Sequence, residues 1–305
     1  MKRLMVFVLA GLLASTVFAG EAFLVTDLGS SARMIGLGNI EGFSGNANAI
    51  FENPAALYKI DRYSVSAFAT KLMDEATYRN VSFGMNTEYG NWAVGYMSVD
   101  VSDVPYTGVN QVTGRFFASE YFGYGNMLAK AAYQNVLAPD VYIGASANYY
   151  KNQFGRFNTG WGLNMDVGVF WDDDPVQYSV TAKNVLRFLK STYTDNGTEE
   201  FPLQVLTSVQ YQWWDFRWLG QMKFGKPYDK PLKSVGLAYE PVWVPFIDIF
   251  GGYKEYKGIN LEEIQSNLTV GVGLDLFGLA FDYAYEKSDH IEFDNNSYFS
   301  INLDF

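Results

Sequence analysis

The most constraining feature of this sequence is a strand-like alternation over residues 160–171. The odd positions, from Trp161 to Trp171, are all apolar, whereas the even positions from Gly160 to Gly168 are glycine, asparagine or aspartate. A period of two places these two sets on opposite faces of a β-strand. The two tryptophans bracket the apolar row, and a strand tilted by about 40° would separate them by roughly 25 Å along the membrane normal. This separation equals the height of the apolar band on a transmembrane β-barrel.

Similar segments recur along the chain, and we count about 14 of them. The predicted strands cover residues 62–73, 77–88, 91–101, 119–134, 141–151, 159–171, 176–185, 202–212, 216–225, 232–240, 246–254, 266–276, 278–287 and 296–305. The connectors alternate between short turns and longer loops, and the longer ones include residues 102–118, 186–201, 255–265 and 288–295. Outer-membrane barrels are built in this way, with both termini on the periplasmic, short-turn side. The sequence therefore predicts an all-β fold, a transmembrane antiparallel β-barrel of about 14 strands over residues 62–305.

The composition favours a barrel in a membrane over a soluble β-sandwich. Aromatic residues make up 17% of the chain, glycine occurs 29 times, and the mean hydropathy is −0.06. After residue 19 no apolar run is long enough for a helical span. We expect aromatic girdles at the two lipid–water interfaces, and these include Trp161, Trp171, Trp213 and Trp218.

The start of the chain has the pattern of a secretory signal peptide. Lys2 and Arg3 precede an apolar run that ends at Ala19, which predicts a signal peptide over residues 1–19 and export to the outer membrane. An uncleaved anchor is the alternative. Removal of Lys2 and Arg3 changes the formal net charge from −11 to −13, which opposes nucleic-acid binding. The chain has no cysteine, so neither disulfides nor a lipid-modified cysteine can contribute.

Residues 20–61 lack strand alternation and contain the sequence Asn53-Pro54-Ala55. We expect Asn53 to cap a short helix that begins at Pro54. A barrel of about 14 strands is too wide for its own side chains to fill. We therefore interpret residues 20–61 as a plug inside the lumen, where small residues pack on inward-facing glycines. The alternatives are a segment that lies in the periplasm, or an ordinary loop and helix at the edge of a soluble β-domain.

Two motifs in this segment carry a resemblance to a known family. The first runs over residues 33–38 and the second over residues 46–57. Together they resemble the N-terminal signature of the PorV/PorQ family, outer-membrane barrels related to the FadL fatty-acid transporters, and the resemblance extends to residues 268–305. The sequence departs from the family pattern at Asn46, Glu52 and Ala56, where aspartate, an aromatic residue and glycine are usual. Within these motifs we interpret Gly36, Gly38, Asn53, Pro54 and Ala55 as the plug motif.

The C-terminal strand ends with an aromatic residue. Phe299, Ile301, Leu303 and Phe305 share the lipid-facing phase. A terminal phenylalanine on such a strand resembles the signal read by the barrel-assembly machinery. We therefore predict outer-membrane lipid and that machinery as partners.

Two outer loops are candidate sites for capturing a hydrophobic ligand. One contains Phe116 and Phe117, and the other contains Phe188 and Leu189. In FadL relatives the outer loops capture apolar ligands, which the resemblance extends to these residues. The alternative is that the side chains pack on each other or dip into lipopolysaccharide.

The sequence gives no support for an enzyme. The chain has one histidine, His290, in a predicted outer loop, and nothing pairs it with a nucleophile. The acidic run at residues 172–174 lacks the spacing of a calcium loop, and Gly36-Leu37-Gly38 lacks the context of a phosphate loop. We expect no catalytic residues, no metal site and no cofactor.

Three functions stay open from the sequence. The first is transport of a hydrophobic small molecule across the outer membrane. The second is a barrel that escorts or anchors exported surface proteins, as PorV-like barrels do, with an exported protein as its partner. The third is a purely structural outer-membrane protein. An apolar path from the outer loops to the plug would favour transport, whereas a sealed lumen and an exposed loop face would favour an escort.

Overall fold

The computed structural model of the protein describes residues 25–72, 76–109, 115–155, 158–225, 230–257, 264–287 and 296–305. In this structure 14 antiparallel strands close into a barrel, which confirms the predicted fold class. The predicted signal peptide, residues 1–19, and His290 lie outside the described residues.

Sixteen strands occur among the described residues, and two of them belong to a loop rather than to the wall. They are β1 Tyr63–Leu72, β2 Ala76–Thr87, β3 Gly90–Val109, β4 Phe116–Ala138, β5 Val141–Phe154, β6 Asn158–Asp173, β7 Val176–Lys183, β8 Lys190–Tyr193, β9 Thr198–Glu200, β10 Gln204–Trp213, β11 Phe216–Gly225, β12 Leu232–Tyr239, β13 Ile247–Lys257, β14 Ile264–Leu276, β15 Leu279–Glu286 and β16 Asn296–Asp304. The 14 wall strands agree with the 14 predicted segments, apart from the extensions of β3 and β4 described below.

The wall closes because the first and last strands pair. β1 and β16 run antiparallel, and the backbones of Tyr63 and Phe305 exchange two N–H···O hydrogen bonds of 2.9 Å. The rings of these two residues lie 5.5 Å apart. Phe305 therefore lies at the closing seam of the barrel.

The two faces of the wall follow the alternation predicted from the sequence. Outward positions carry exposed apolar side chains, for example Leu163, Val235 and Leu268, which are 51%, 54% and 65% exposed. Inward positions carry buried small or polar side chains such as Ser66 and Asn80. An apolar outer face and a polar inner face are what a barrel in lipid requires.

The two ends of the barrel differ in the lengths of their connectors. We call one the short-turn end, where two-residue turns such as Glu88-Tyr89 and Trp214-Asp215 join consecutive strands. The other is the long-loop end, which includes the 20-residue connection between β7 and β10. The 20-residue connection agrees with the predicted alternation of connectors, whereas the seven-residue connection between β12 and β13 at the short-turn end departs from it. The first wall strand begins and the last one ends at the short-turn end.

The prediction of two outer loops, residues 102–118 and 186–201, is wrong in part. The predicted loop 102–118 is largely strand, because β3 continues to Val109 and β4 starts at Phe116, giving lengths of 20 and 23 residues. Their pairing shifts between Val101 and Val104 and again between Tyr106 and Thr107. Such irregularities add a residue to one strand and interrupt the period-two pattern, so the sequence alternation stops before the strands do. Because about ten tilted residues cross a bilayer, this pair of strands projects beyond it.

The predicted loop 186–201 contains a hairpin. β8 and β9 pair with each other, and β8 also pairs with β6, through Gly160 with Tyr193 and Trp161 with Thr192. The hairpin lies at the long-loop end.

Residues 25–60, which we call the N-terminal segment, contain four short helical turns. They are the α-helices α1 Ala32–Gly36 and α2 Ala49–Glu52 and the 3₁₀-helices Val25–Leu28 and Pro54–Lys59. None of the helices among the described residues is long and apolar enough to cross a bilayer.

Candidate functional site in the barrel lumen

The N-terminal segment packs against inward-facing residues on all sides of the wall. α1 contacts β13, β14, β15 and β16, whereas the 3₁₀-helix Pro54–Lys59 contacts β3, β4, β5 and β6. The side chains of Ala49, Ile50, Ala55 and Leu57 are fully buried. These contacts place the segment within the ring of strands.

Asn53 caps the helix that starts at Pro54. Its Oδ1 accepts a hydrogen bond of 2.9 Å from the Ala55 N–H. Its Nδ2 donates to Ser179 Oγ at 2.8 Å and to the Val169 carbonyl at 3.2 Å, so the same amide binds both the segment and the wall. The side chain is completely buried.

Two inward glycines make this contact possible. A Cβ at Gly168 would stand 1.8 Å from Asn53 Oδ1, and a Cβ at Gly144 would stand 2.4 Å from the Pro54 carbonyl carbon. No larger residue fits at either position without moving the segment. The absence of a side chain at these positions therefore allows the segment to touch the backbone of the wall.

The predicted plug motif divides between two sides of the lumen. Asn53, Pro54 and Ala55 contact the side formed by β5, β6 and β7, as described above. Gly36 lies against Phe250 and Ala284, and Gly38 lies against the backbone of Tyr253. The five residues thus belong to one segment but do not form one cluster.

Charged side chains of the segment pair with charged side chains of the wall. Asp27 Oδ1 lies 2.6 Å from Lys223 Nζ on β11, and Glu41 pairs with Lys183 at the end of β7. Lys183 and Glu41 are almost fully buried. Removing one member of such a pair would leave a buried charge without its partner.

Arg33 makes the third connection, to two carboxylates. Its guanidinium pairs with Asp248 on β13 and lies 3.0 Å from Asp282 on β15. Burial alone would lower the pKa of Arg33, but Asp282 and Asp248 raise the pKa above its usual value. Arg33 belongs to the first sequence motif, but the sequence gives no partner for it. The only signal for the partners is that Asp248 and Asp282 are charged residues on an inward strand face.

Glu52, one of the departures from the family pattern, organises the segment itself. Its carboxylate accepts hydrogen bonds from Gly42 N at 2.9 Å, Asn48 Nδ2 at 2.9 Å and Ser44 Oγ at 2.5 Å. The side chain is 1% exposed. Neutral donors thus satisfy a buried carboxylate, which ties the loop before α2 to the end of α2.

Lys59, the last residue of the second 3₁₀-helix, sits among aromatic rings. Its Nζ lies 4.7 Å from the ring centre of Phe170 and donates to the Phe43 carbonyl and to Gln177 Oε1 at 3.3 Å. Burial lowers the pKa of Lys59 to about 8. The adjacent Tyr58 donates to Asp172 at 2.5 Å, which fastens this end of the segment to β6.

Aromatic side chains line the lumen in the long-loop half of the wall, where the Tyr78 hydroxyl also donates to the Gly29 carbonyl of the segment. Phe68 meets Tyr78 edge-on at 5.3 Å and stacks on Tyr298 at 6.2 Å. Across the lumen, Tyr150 lies 4.6 Å from Phe201. This aromatic layer is not predictable from the sequence, because single aromatic residues on mainly polar strand faces give little signal.

The candidate ligand-capturing residues lie in different environments. Phe188 is 77% exposed and Leu189 is half-buried, both just before β8. Phe116 and Phe117 belong to β4, where they pair with Val109 and Gly108. The role of these four residues in binding a ligand stays a prediction.

Three of the four predicted girdle tryptophans are exposed on the outer face. These are Trp161, Trp213 and Trp218, whereas Trp171 is only 6% exposed and stacks on Tyr178 at 5.3 Å. The buried ring of Trp171 departs from the exposed position expected of a girdle residue. Its position as an interfacial anchor stays a prediction.

Comparison with known proteins identifies the fold. The toluene transporter TbuX of Ralstonia pickettii is similar over 90% of this chain and 98% of its own, at 10% identity and a TM-score of 0.62. The CymD monoaromatic hydrocarbon channel is similar over 93% and 99%, at 12% identity and a TM-score of 0.61. A Pseudomonas aeruginosa FadL homologue is similar over 94% and 100%, at 9% identity and a TM-score of 0.57.

No known family profile and no curated protein sequence matches the chain. At identities of about one in ten the structural likeness establishes a FadL-like barrel fold. It does not separate the PorV/PorQ resemblance from other members of this fold.

Proposed function

We propose that this protein is an outer-membrane channel that carries a small hydrophobic molecule inward, with the N-terminal segment as its plug. The observation that carries the proposal is a group of aromatic side chains in the lumen, which includes Phe68, Tyr78 and Tyr150. These rings are buried, and the Tyr78 hydroxyl donates a hydrogen bond to the Gly29 carbonyl of the N-terminal segment, so a ligand that passes them has to displace the segment. Aromatic side chains suit an apolar ligand, because they offer large apolar surfaces with fixed geometry. The structural neighbours named as toluene and hydrocarbon channels support this choice of ligand class.

Uptake by whole cells tests the transport function. We expect cells that lack their own hydrocarbon channels to take up radiolabelled toluene faster when they produce this barrel than when they carry an empty vector. The matched control is cells that produce, in place of this protein, a barrel of the same fold whose outer loops are closed and do not admit the ligand. Equal uptake with and without the barrel would exclude transport of this ligand class.

An engineered disulfide tests the role of the segment separately. An ideal Cβ at Gly84 lies 3.6 Å from Ala47 Cβ, within the range of about 3.5–4.5 Å that a disulfide needs. The chain has no other cysteine, so the Ala47→Cys/Gly84→Cys variant contains a single possible bridge. If the segment must move, oxidation should stop uptake and reduction should restore it. The two single-cysteine variants should respond to neither treatment.

The escort function is the second candidate, and the tightly packed segment is the observation that favours it. An escort requires a sealed lumen and no luminal ligand, and many residues of the segment have no exposed surface. Under this function, uptake of toluene would be absent. A defined exported protein would instead copurify in a fixed ratio from the native membrane, and would be lost from the cell surface when the barrel is deleted.

A further inference from the structure

A cavity of about 530 Å³ opens at the short-turn end, between the N-terminal segment and the wall. The ends of strands β10 to β16 form one side of it, and α1 with the residues after α1 forms the other. We call it the mouth cavity. Its volume lies within the range of about 300–1,000 Å³ that is usual for small-molecule sites.

Carboxylates outnumber cationic groups around the mouth cavity. Its six acidic residues are Glu52, Glu240, Asp248, Asp275, Asp282 and Asp304, and its two basic residues are Arg33 and Arg217. Both arginines are already paired, Arg33 with Asp248 and Asp282 and Arg217 with Glu240 at 2.6 Å. The field inside the cavity therefore favours a cation over an anion.

Three buried acceptors of the cavity lining have no donor. Asp248 Oδ1, Asn302 Oδ1 and Gln210 Oε1 make no hydrogen bond, although these residues are only 8%, 4% and 8% exposed. The pairing of Asp248 with Arg33 uses the other carboxylate oxygen. Nearly all buried polar atoms in proteins have a partner, so unpartnered acceptors in a cavity wall point to a missing donor. Arg217 Nε is an unpartnered donor in the same lining, but the adjacent carboxylates oppose an anion there.

The remaining lining is apolar. Leu37, Ile40 and Phe43 contribute from the segment, and Leu219 and Phe246 contribute from the wall. A small hydrated metal ion would leave these side chains without a contact. A ligand with an apolar body and an N–H-bearing cationic group would use both parts of the lining.

We propose that the mouth cavity is a binding site for organic ammonium ions that carry an apolar group, such as arylalkylamines. The ammonium group supplies hydrogen bonds to the unpartnered acceptors and is attracted by the carboxylates at the rim, Asp275 and Asp304. The apolar group lies against Phe43 and Leu219. This site is separate from the aromatic layer on the long-loop side, and its existence does not depend on transport of a hydrophobic molecule.

Calorimetry on the full-length barrel in detergent tests the site, with 2-phenylethylamine as the probe. The matched probes are 2-phenylethanol, which is neutral and of similar shape, and phenylacetate, which is anionic. We expect the amine to bind at least tenfold more tightly than the alcohol and phenylacetate not to bind. The affinity for the amine should fall as salt is raised, because screening weakens attraction at the exposed rim.

A charge-matched pair of variants locates the binding. Asp275 and Asp304 are exposed at the rim, so Asp275→Asn/Asp304→Asn should fold and should weaken amine binding about tenfold. The control is Glu88→Gln/Asp140→Asn, which also removes two negative charges from turns at the short-turn end but outside the lining. The left-handed backbone of Asp140 (φ 60°) accepts asparagine. Heat-modifiability on gels checks that all variants are folded.

Two results would overturn the site. Equal affinity for the amine and the alcohol would mean that the cavity is only an apolar cleft. Equal loss of amine binding in Glu88→Gln/Asp140→Asn and in the rim variant would mean that the amine responds to the overall negative charge. Toluene uptake does not enter either measurement, so failure of the transport proposal and failure of this one can be told apart.

Discussion

Asn53 and Gly168 lie in such close contact that the wall has no room for a methyl group between them. The distance from an added Cβ at Gly168 to Asn53 Oδ1 would be 1.8 Å, well below any observed contact. Asn53 itself is held by Ser179 and by the Val169 carbonyl, so it cannot turn aside freely. The fit of the segment to the wall at this point depends on one glycine.

Gly168→Ala should therefore loosen the segment. We expect higher ion conductance in planar bilayers and a lower midpoint of chemical unfolding. Gly220→Ala is the control, because an added Cβ there meets Val209 at an ordinary 3.7 Å. Identical conductance in the two variants would show that the contact does not seal the lumen.

Asn53→Ala should loosen the same contact from the other side. It removes a cap worth about 1 kcal/mol and leaves Ser179 and the Val169 carbonyl without a donor. The sequence alone predicts Asp to be a mild substitution, since aspartate also caps helices. The structure predicts otherwise, because aspartate has no N–H to donate to the wall. If Asn53→Asp conducts like the wild type while Asn53→Ala conducts more, capping alone holds the segment.

Arg33→Met should destabilise the barrel by about 3 kcal/mol, the lower end of the cost of breaking a buried ion pair, because the arginine side chain is 29% exposed. Asp248 and Asp282 would be left facing each other without a cation. Adding Asp248→Asn and Asp282→Asn to the same chain should recover much of the loss. Chemical unfolding followed by heat-modifiability measures both values, and simple additivity of the three changes would contradict the coupling.

The lowered pKa of Lys59 predicts that the free energy of unfolding depends on pH. Its pKa is about 8 in the folded protein and 10.5 when exposed, so between these values the folded protein binds fewer protons than the unfolded chain. The free energy of unfolding should therefore rise from pH 8 to pH 10.5 relative to Lys59→Met, which has no titrating group at this position. Unfolding midpoints of the two proteins across this range provide the measurement. Parallel curves would mean that Lys59 keeps its ordinary pKa.

The topology can be tested with single cysteines, because the chain has none of its own. Asn196→Cys lies in the β8–β9 turn at the long-loop end, and Glu88→Cys lies in an exposed turn at the short-turn end. In intact cells a membrane-impermeant maleimide should label the first and spare the second until the outer membrane is opened. Labelling of Glu88→Cys in intact cells would invert the predicted orientation.

Much of the wall could be predicted from the sequence. In β6, for example, each residue from Trp161 to Val169 lies on the face that its polarity predicts, because lipid on one side and the lumen on the other impose a strict period of two. The same rule fails where a strand leaves the bilayer. β3 and β4 continue to Val109 and from Phe116, where no lipid enforces the alternation and the pairing is irregular.

The contacts within the lumen were less predictable. Residues 53 and 54 give a local signal for a cap, and the cap is present. The partners of Arg33 and Glu41 lie 249 and about 140 positions away, at inward sites that look like many other polar sites in the strands. Local sequence rules describe neighbours along the chain, so they cannot specify which strand receives each charged side chain.

The pairing of Arg33 with Asp282 also bears on the order of assembly. These residues are 249 positions apart, so a nascent chain that has already exposed Arg33 must produce most of the barrel before the partner exists. Contacts of such long range are costly in chain entropy and form late. The strand that directly follows the segment, β1, also pairs late, because its partner β16 is the last strand of the wall. The part of the chain that is made early is thus among the last to reach its native surroundings, and until then its apolar and charged side chains lack the contacts that they have in the folded barrel.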